Sequence, residues 1–266
     1  MMRIEDLVAE LEPGDHDPYL VLSDEELAVV TDEVPAEQRL FDTPAVDGLD
    51  EAARRAALAA AARGLVARGL VVADPQPEEA TEPQVVVLAE LAVVLDLLSR
   101  PDVTVVAQRQ DDDGATHLRH WIGWRDSVVL EHEASDGLHR FALRLPGRAA
   151  MALAAFADPR RLAREEHEHH PPVVAPADAP PGGEVGGEVV ALLQEPRTST
   201  QVAAAHHDRD ELREVILAAT GQGLWLVAEE AQPPTRAPHL RAQELSPLSL
   251  MGVACRLVGF EPEPVL

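Results

Sequence analysis

The sequence predicts an α+β fold of two similar halves, in which helices pack against an antiparallel or mixed sheet. Two observations predict it. Short segments recur along the chain at a separation that drifts from about 95 to about 100 residues, as insertions in loops would produce. Each copy has the pattern of a helix, three or four strands and a closing helix. The alternative is chance matching in a chain rich in Ala, Leu and Val.

The matches between the two copies are most regular near the end of each copy, where identical residues recur at one constant separation. Earlier matches are looser, as between Leu97–Pro101 and Leu192–Pro196. Four matched pairs carry the firm register: His139 with His239, Leu145 with Leu245, Met151 with Met251, and Ala154 with Ala254. These pairs predict that residues 101–157 superpose on residues 197–257 with the same strand order.

The segment before the first copy is predicted to be mainly helical. Tyr19–Leu22 has the composition of a strand, and Ser23 with Glu26 forms a capping-box pattern that favours a short helix next. The alternative is a strand that resumes over Leu27–Thr31. The clearest helix is Asp47–Leu70, where Ala and Leu recur at helical spacing. A second long helix is predicted over Val85–Leu98, apolar on most sides.

Within the copies the apolar period changes to that of strands. The first copy contains predicted strands at 103–107, 118–124, 127–131 and 141–145, and the second at 200–205, 214–219, 224–229 and, as a weak edge strand, 240–244. Ser135–Gly137 predicts a tight hairpin, because Asp-Gly tolerates positive φ. Pro146 and Ser246-Pro247 suit the first turns of the two closing helices.

The chain is predicted to be a single α+β domain over residues 1–266. Its parts are a helical N-terminal part (1–100), a first repeat (101–159), a linker (160–188) and a second repeat (189–260). The linker prediction rests on residues 171–187, which hold five prolines and four glycines and too few apolar side chains to build a core.

Composition excludes several classes of function. The formal net charge is −25, from 22 basic and 47 acidic residues, and such a field repels nucleic acids and anionic membranes. The single cysteine, Cys255, excludes an internal disulfide and lies in an apolar run typical of a buried thiol. With no signal peptide or membrane span predicted, we expect a soluble cytoplasmic protein. The excess of Arg over Lys suggests a high-GC genome such as that of an actinomycete.

No complete catalytic or metal-binding set is found, so we predict no enzyme activity, no cofactor and no metal. The string Glu166–His170, with His167, His169 and His170, is the most metal-like segment, and His206–Asp208 is a possible complement. A specific site would need another element to clamp such a segment. Asp111–Gly114 resembles the start of a calcium loop but lacks its ligand spacing, which favours a hairpin turn.

The three tryptophans, Trp121, Trp124 and Trp225, are the predicted partner-binding residues. Trp121 and Trp124 lie three apart on one predicted strand and therefore project to opposite faces. One of them can be buried while the other is exposed, with Trp225 as a further contact, and Trp is enriched at binding hot spots. The alternative is that all three fill the core of a chain poor in aromatics.

The order of elements resembles a known family. Arg63–Val66 and Arg68–Val71 end the helical part, a helix over Leu88–Leu98 leads through Arg100-Pro101 into strands, and the strands and a helix recur after a linker. A late strand, Gly223–Leu226, precedes the helix that opens at Ser246-Pro247.

This layout is similar to that of the EspG proteins of actinobacterial type VII (ESX) secretion systems. The resemblance implies a pseudo-two-fold α+β fold and a cytosolic, non-catalytic chaperone for PE–PPE substrates. Such a protein would hold a helical secretion substrate on one face of its sheet before export, without ATP. A few aromatic and aliphatic anchors inside a polar rim would supply the binding energy.

Two alternatives stay open at this point. The end of the predicted helix, from Leu58 to Val72, also resembles the end of a winged helix, so the chain could be a transcriptional regulator whose phosphate contacts come from Arg54, Arg55, Arg63 and Arg68. The charge of −25 opposes this, because a DNA-binding protein normally presents a basic face. The other alternative is a structural or interaction protein of unknown partner.

Overall fold

The computed structural model describes residues 19–31, 40–73, 85–124, 127–163, 172–176, 198–207, 209–220, 223–230 and 239–260. The chain divides into two compact units. The smaller unit comprises Met1–Pro101 and Leu130–Arg144, and the larger comprises Asp102–Val129 and Leu145–Leu266.

The described elements before the first repeat are, in chain order, β1 (Leu20–Ser23), α1 (Asp24–Val30), α2 (Pro44–Asp47), α3 (Glu51–Ala67), β2 (Val71–Ala73), β3 (Val85–Val87) and α4 (Ala89–Ser99). The first repeat contains β4 (Val103–Asp111), β5 (Thr116–Trp124), β6 (Val128–Ser135), β7 (Leu138–Arg144) and α5 (Pro146–Ala157). Then follow β8 (Val173–Pro176), β9 (Thr198–His206), β10 (Glu211–Ala219), β11 (Leu224–Glu230), β12 (His239–Glu244) and α6 (Pro247–Leu257).

The strand order confirms the predicted α+β fold of two similar halves. The described strands pair in the order β1-β7-β6-β5-β4-β9-β10-β11-β12-β8, and β2 and β3 form a separate hairpin. The meander β4 to β7 followed by α5 therefore has the same order as β9 to β12 followed by α6. In the same way β1 lies beside β7 and β8 beside β12, both antiparallel.

The spacing between equivalent elements grows along the chain as the sequence predicts, but the predicted register near the end of each copy is wrong by one residue. The closing helices are preceded by Leu145 and Ser246, so Leu145 is not equivalent to Leu245. The first strands of the two halves begin at Val103 and Thr198, and their closing helices begin at Pro146 and Pro247, so the separation grows from about 95 to about 101 residues. The increase arises in the loops, where insertions are tolerated because little packing depends on them.

The capping box, the Asp-Gly hairpin turn and the start of the last helix form as the sequence predicts. The capping box is complete, because the Glu26 N–H donates to Ser23 Oγ (3.2 Å) and the Ser23 N–H donates to Glu26 Oε2 (3.1 Å). The turn between β6 and β7 places Asp136 and Gly137 at φ 54° and 71°, the left-handed values that a tight hairpin requires. The Ser246 hydroxyl accepts from the Ser249 N–H at 3.0 Å and caps α6.

The predicted helix over Val85–Leu98 is wrong at its start. Its first three residues form β3, which pairs with β2 in the register Val71 to Val87, and α4 begins only at Ala89. The reason is local, because three consecutive β-branched valines favour an extended backbone and a partner strand is close in sequence. The helix predicted over Asp47–Leu70 begins at Glu51, where the Asp50 carboxylate caps it.

The linker prediction is corrected in one part. Residues 173–176, inside the predicted linker, form β8 and pair with β12, as Leu240 does with Ala175. The predicted edge strand β12 is therefore paired on both sides. A short strand needs only backbone hydrogen bonds from its neighbour, which composition cannot reveal. Residues 164–171 and 177–197 lie outside the described residues, and the single-domain organisation stays a prediction.

The core of the larger unit lies between its sheet and the two closing helices. One face of the sheet, which we call the covered face, packs against α5 and α6. Small aliphatic side chains dominate this core: Val103, Val105, Ala107, Val129, Val202, Ala204, Leu217, Ala219 and Leu224 from the strands, with Ala150, Leu153, Ala154, Val253, Ala254 and Leu257 from the helices. Alternation along each strand directs the intervening residues to the opposite face.

Candidate functional site

The opposite face of the larger unit's sheet is the candidate binding surface. The strand registers arrange its residues in rows, one of which runs from Leu118 through Gln108 and Gln201 to Ile216. The exposed or half-buried side chains on this side form a surface that we call the open face: Val106, Gln108, Leu118, Gln201, Ala203, Ala205, Leu212, Glu214 and Ile216.

The open face has two exposed leucines on either side of a strand, β9, that contributes short alanine side chains. Leu118 on β5 is 42% exposed and Leu212 on β10 is 65% exposed, values that are high for large apolar side chains. Between them β9 contributes Ala203 and Ala205, so the surface is lowest along this strand. Exposed Gln108, Gln201 and Glu214 add polar groups. This surface can receive an amphipathic helix, with the leucines as anchors and the amides and carboxylate as polar contacts.

Acidic turns flank the strands of this surface. The turn between β4 and β5 contains Asp111–Asp113, and the turn between β9 and β10 contains Asp210 and Glu211. Glu211 forms an ion pair with Arg213 at 2.8 Å, and the hydrogen bond from Arg213 holds the pKa of this carboxyl below its ordinary value. Asp111 contacts Arg109 and His117. The turn ends at Gly114, whose φ is 81°, as expected for a hairpin turn.

The three tryptophans occupy different environments. Trp121 is fully buried in the covered face, with its ring centre 5.8 Å from that of Phe156 in an edge-to-face contact. Trp225 projects on the side of the open face but is 2% exposed, in a second apolar cluster with Val227 and Ala242. These positions favour a packing role for Trp121 and Trp225. Their contact with a partner stays a prediction.

Trp124 is the half-buried tryptophan. It is the last residue of β5, and alternation along that strand places it on the side of Leu118. Its side chain lines a cavity of about 240 Å³ within the larger unit, whose walls also include Val103, Val258, Asp102, His206 and Arg209. The cavity is at the small end of the range for ligand sites and has room for one side chain rather than a cofactor.

Histidines and carboxylates give no metal centre in the part of the chain that the structure describes, where no three such side chains could hold an ion. His207 contacts the Thr104 hydroxyl through Nε2 at 3.1 Å, whereas His206 is buried on the covered face. His167, His169, His170 and Asp208 lie outside the described residues. Cys255 is buried, and burial raises the pKa of its thiol, which agrees with the predicted structural role.

Sequence reasoning missed a buried polar cluster in the smaller unit. His132 and His139 are both 1% exposed and hydrogen-bonded to each other, and His139 also bonds Asp24. A signal was available, because the Asp-Gly turn predicts the hairpin register that places both imidazoles on one face. The approach of Asp24 from α1 could not be read from that hairpin.

Two arginines that the winged-helix alternative would use for phosphate contacts, Arg55 and Arg68, form ion pairs within the smaller unit. Arg55 pairs with Glu51 at 2.9 Å, and Arg68 pairs with Glu26 at 2.6 Å while donating to the Val21 carbonyl. Arg68 therefore joins α3 to the β1–α1 segment, a structural role that competes with a phosphate contact. None of the described helices is long and apolar enough to cross a membrane.

Comparison with known proteins gives a likeness of fold. No family model matches the sequence, and no curated protein matches it. A chain of the solved structure of the Mycobacterium tuberculosis type VII secretion system chaperone EspG5 in complex with the PE25–PPE41 dimer aligns with 92% of this chain and 97% of its own length. The identity is 12% and the TM-score 0.54, so the fold of this chain is similar to that structure over nearly its whole length.

Proposed function

We propose that this protein is a cytoplasmic, non-catalytic chaperone that holds a helical, PE–PPE-like secretion substrate before type VII export. The observation that carries the proposal is the fold likeness, which extends over 92% of the chain and includes both repeats. A likeness of fold transfers function only by analogy, and a chaperone also needs a surface that suits such a partner.

The open face supplies that surface. A helical substrate buries one apolar stripe along its length and needs a complementary apolar strip with a polar margin. Leu118 and Leu212 provide the anchors, and Gln108, Gln201 and Glu214 provide the margin. The side chains are aliphatic, amide and carboxylate groups, which are suited to recognition. Nucleophilic or general acid–base chemistry would need a different set in close contact.

Trp124 is the tryptophan that we propose as a contact for the substrate. Of the three tryptophans it is the one with accessible surface beyond a few per cent. The cavity that its indole lines is shared with Val103 and Val129 of the covered face, so the cavity is not part of the open face. If the indole contacts the substrate, Trp124→Ala should weaken binding about thirtyfold, equivalent to about 2 kcal/mol.

Site-specific photocross-linking tests the proposal. A cross-linking amino acid at Gln201, in the centre of the open face, should trap one protein in the native host, identified by mass spectrometry as a helical secretion substrate. The matched control places the same amino acid at Ala155, an exposed position on α5, and should trap none. Trapping of DNA at either position, or of the same protein from Ala155 alone, would overturn the proposal.

A further inference from the structure

A chain of three ionisable side chains is buried in the smaller unit. Asp24 is the first residue of α1, His132 lies on β6 and His139 on β7, and each is at most 2% exposed. His139 Nε2 lies 3.0 Å from Asp24 Oδ1, and His139 Nδ1 lies 2.9 Å from His132 Nε2. Both nitrogens of the central imidazole are therefore used in hydrogen bonds.

The same three residues hold the segment 40–47. Asp24 Oδ2 accepts a hydrogen bond from the Ala45 N–H at 2.9 Å, so one carboxylate joins His139 to α2. The Phe41 ring centre lies 3.8 Å from that of His132 and 5.9 Å from that of Phe141. Two contacts of the segment are therefore made with members of the chain, alongside the Phe41–Phe141 contact and the burial of Val46.

The number of protons in this chain is limited by its geometry. Each of the two hydrogen bonds needs one proton between its atoms, so two protons complete the chain while both imidazoles are neutral and Asp24 is ionised. A third proton makes one imidazole cationic, with the Asp24 carboxylate as its counter-ion. A fourth would set two N–H groups against each other across 2.9 Å and break the contact.

Among the residues that the structure describes, few other charges face the chain. Asp24 is the ionised group in direct contact with it from α1, and Asp47 on α2 is exposed and bonds the Thr43 backbone. On β6 and β7, alternation directs Glu131, Glu133 and Arg140 to the other face of the strands. Glu26 on α1 is engaged by Arg68. A charged imidazole here would therefore depend on Asp24 for compensation, in a site from which water is nearly excluded.

We propose that Asp24, His139 and His132 form a proton-controlled latch, in which mild acid releases residues 40–47 from β6 and β7. Protonation draws Asp24 towards a cationic His139 and weakens its hydrogen bond to the Ala45 N–H. Protonation of His132 also places a charge beside Phe41 and Phe141 in a site that excludes water. Release would separate Phe41 from Phe141 and expose the Phe141 ring, which is fully buried in the closed state. The latch is independent of the proposed chaperone function.

The direction of the pH response follows from the buried imidazole. Burial lowers the pKa of His139 below its ordinary value, against the opposing influence of Asp24. A histidine whose folded-state pKa is lowered contributes stability that is fully present above its ordinary pKa. That stability is lost as pH falls from about 6.5 towards the lower folded-state value. Opening of the latch is therefore expected in mild acid.

Hydrogen exchange followed by mass spectrometry tests the latch on the full chain. Between about pH 7.5 and about pH 5.5, protection of residues 40–47 should fall at least about tenfold after correction for intrinsic exchange. Protection of α6, which contains no histidine, is the internal control. The double variant His132→Gln, His139→Gln can repeat both hydrogen bonds but cannot take up a proton, and should keep its protection at both pH values. Equal loss in the variant, or no loss in the wild type, overturns the latch.

A second measurement covers the case in which the double variant does not fold. Imidazole ¹⁵N chemical shifts of the wild type report the protonation of His132 and His139 directly. The latch requires that loss of protection at 40–47 follows proton uptake by this pair with the same midpoint. Both imidazoles remaining neutral while the segment opens would contradict it.

Discussion

The two faces of the larger unit's sheet come from the same strands but differ in chemistry. The covered face presents Val, Ala and Leu to two helices, and Trp121 is fully buried there. The open face presents glutamines, a glutamate, alanines and two exposed leucines. Strict alternation allows one face to stabilise the fold while the other varies with its partner. The difference indicates that substitutions on the two faces should affect different properties.

The largest effect is expected on the covered face. Trp121→Ala removes a fully buried indole and its edge-to-face contact with Phe156, so the free energy of unfolding should fall by about 3–5 kcal/mol. Denaturant titration measures it. A loss below about 1 kcal/mol would mean that this face is not the core of the unit.

Thiol reactivity compares the two faces directly. Cys255 on α6 is buried and burial raises the pKa of its thiol, so thiolate formation is suppressed at neutral pH and increases only as pH rises. A cysteine introduced on the open face by Gln201→Cys should react with a thiol reagent at least about a hundredfold faster than Cys255. Equal rates under native conditions would show that the faces do not differ in accessibility.

A smaller effect is expected from one glycine of the covered face. A Cβ at Gly123 would lie 2.5 Å from Val103 Cγ1, so Gly123→Ala forces a shift in the core and should cost about 1–3 kcal/mol. Gly147→Ala on α5 is the matched control, because its nearest neighbour would lie at 4.0 Å. Melting of the two variants side by side decides the point, and equal stability would contradict the close packing at Gly123.

The smallest effect on stability is expected on the open face. Leu212→Ala removes a side chain that is 65% exposed, so the free energy of unfolding should change by no more than about 0.5 kcal/mol. Denaturant titration against the Trp121→Ala variant gives the contrast. A loss of about 2 kcal/mol or more would show that Leu212 is packed and that the open face is smaller than described.

Structural features that depend only on residues close in sequence were predictable. The capping box at Ser23, the Asp-Gly hairpin and the prolines that open α5 and α6 each depend on neighbours within a few residues. The repeated order of strands and closing helix was also predictable, although the matched pairs near the end of each copy are one residue out of the structural register. From alternation we expected Trp121 and Trp124 on opposite faces, but not which of them would be buried.

Structural features that depend on contacts between residues far apart in the sequence were not predictable. The strand β8 forms because β12 offers backbone groups, and the three valines of β3 became a strand because β2 lies alongside. Asp24 is separated from His139 by 115 residues in sequence, so no local pattern joins them. The burial of Trp225 likewise depends on side chains from β10 and β12.

The central claim is that the open face binds a partner while the covered face maintains the fold. The most direct measurement is the affinity of the protein trapped from Gln201 for two double variants. Leu118→Ser with Leu212→Ser alters the open face, whereas Met151→Ser with Leu248→Ser alters equally exposed apolar side chains on α5 and α6. We predict at least about tenfold weaker binding for the first variant and unchanged binding for the second, with both melting like the wild type. Unchanged affinity of the first variant, or loss of binding only in the second, would contradict the account.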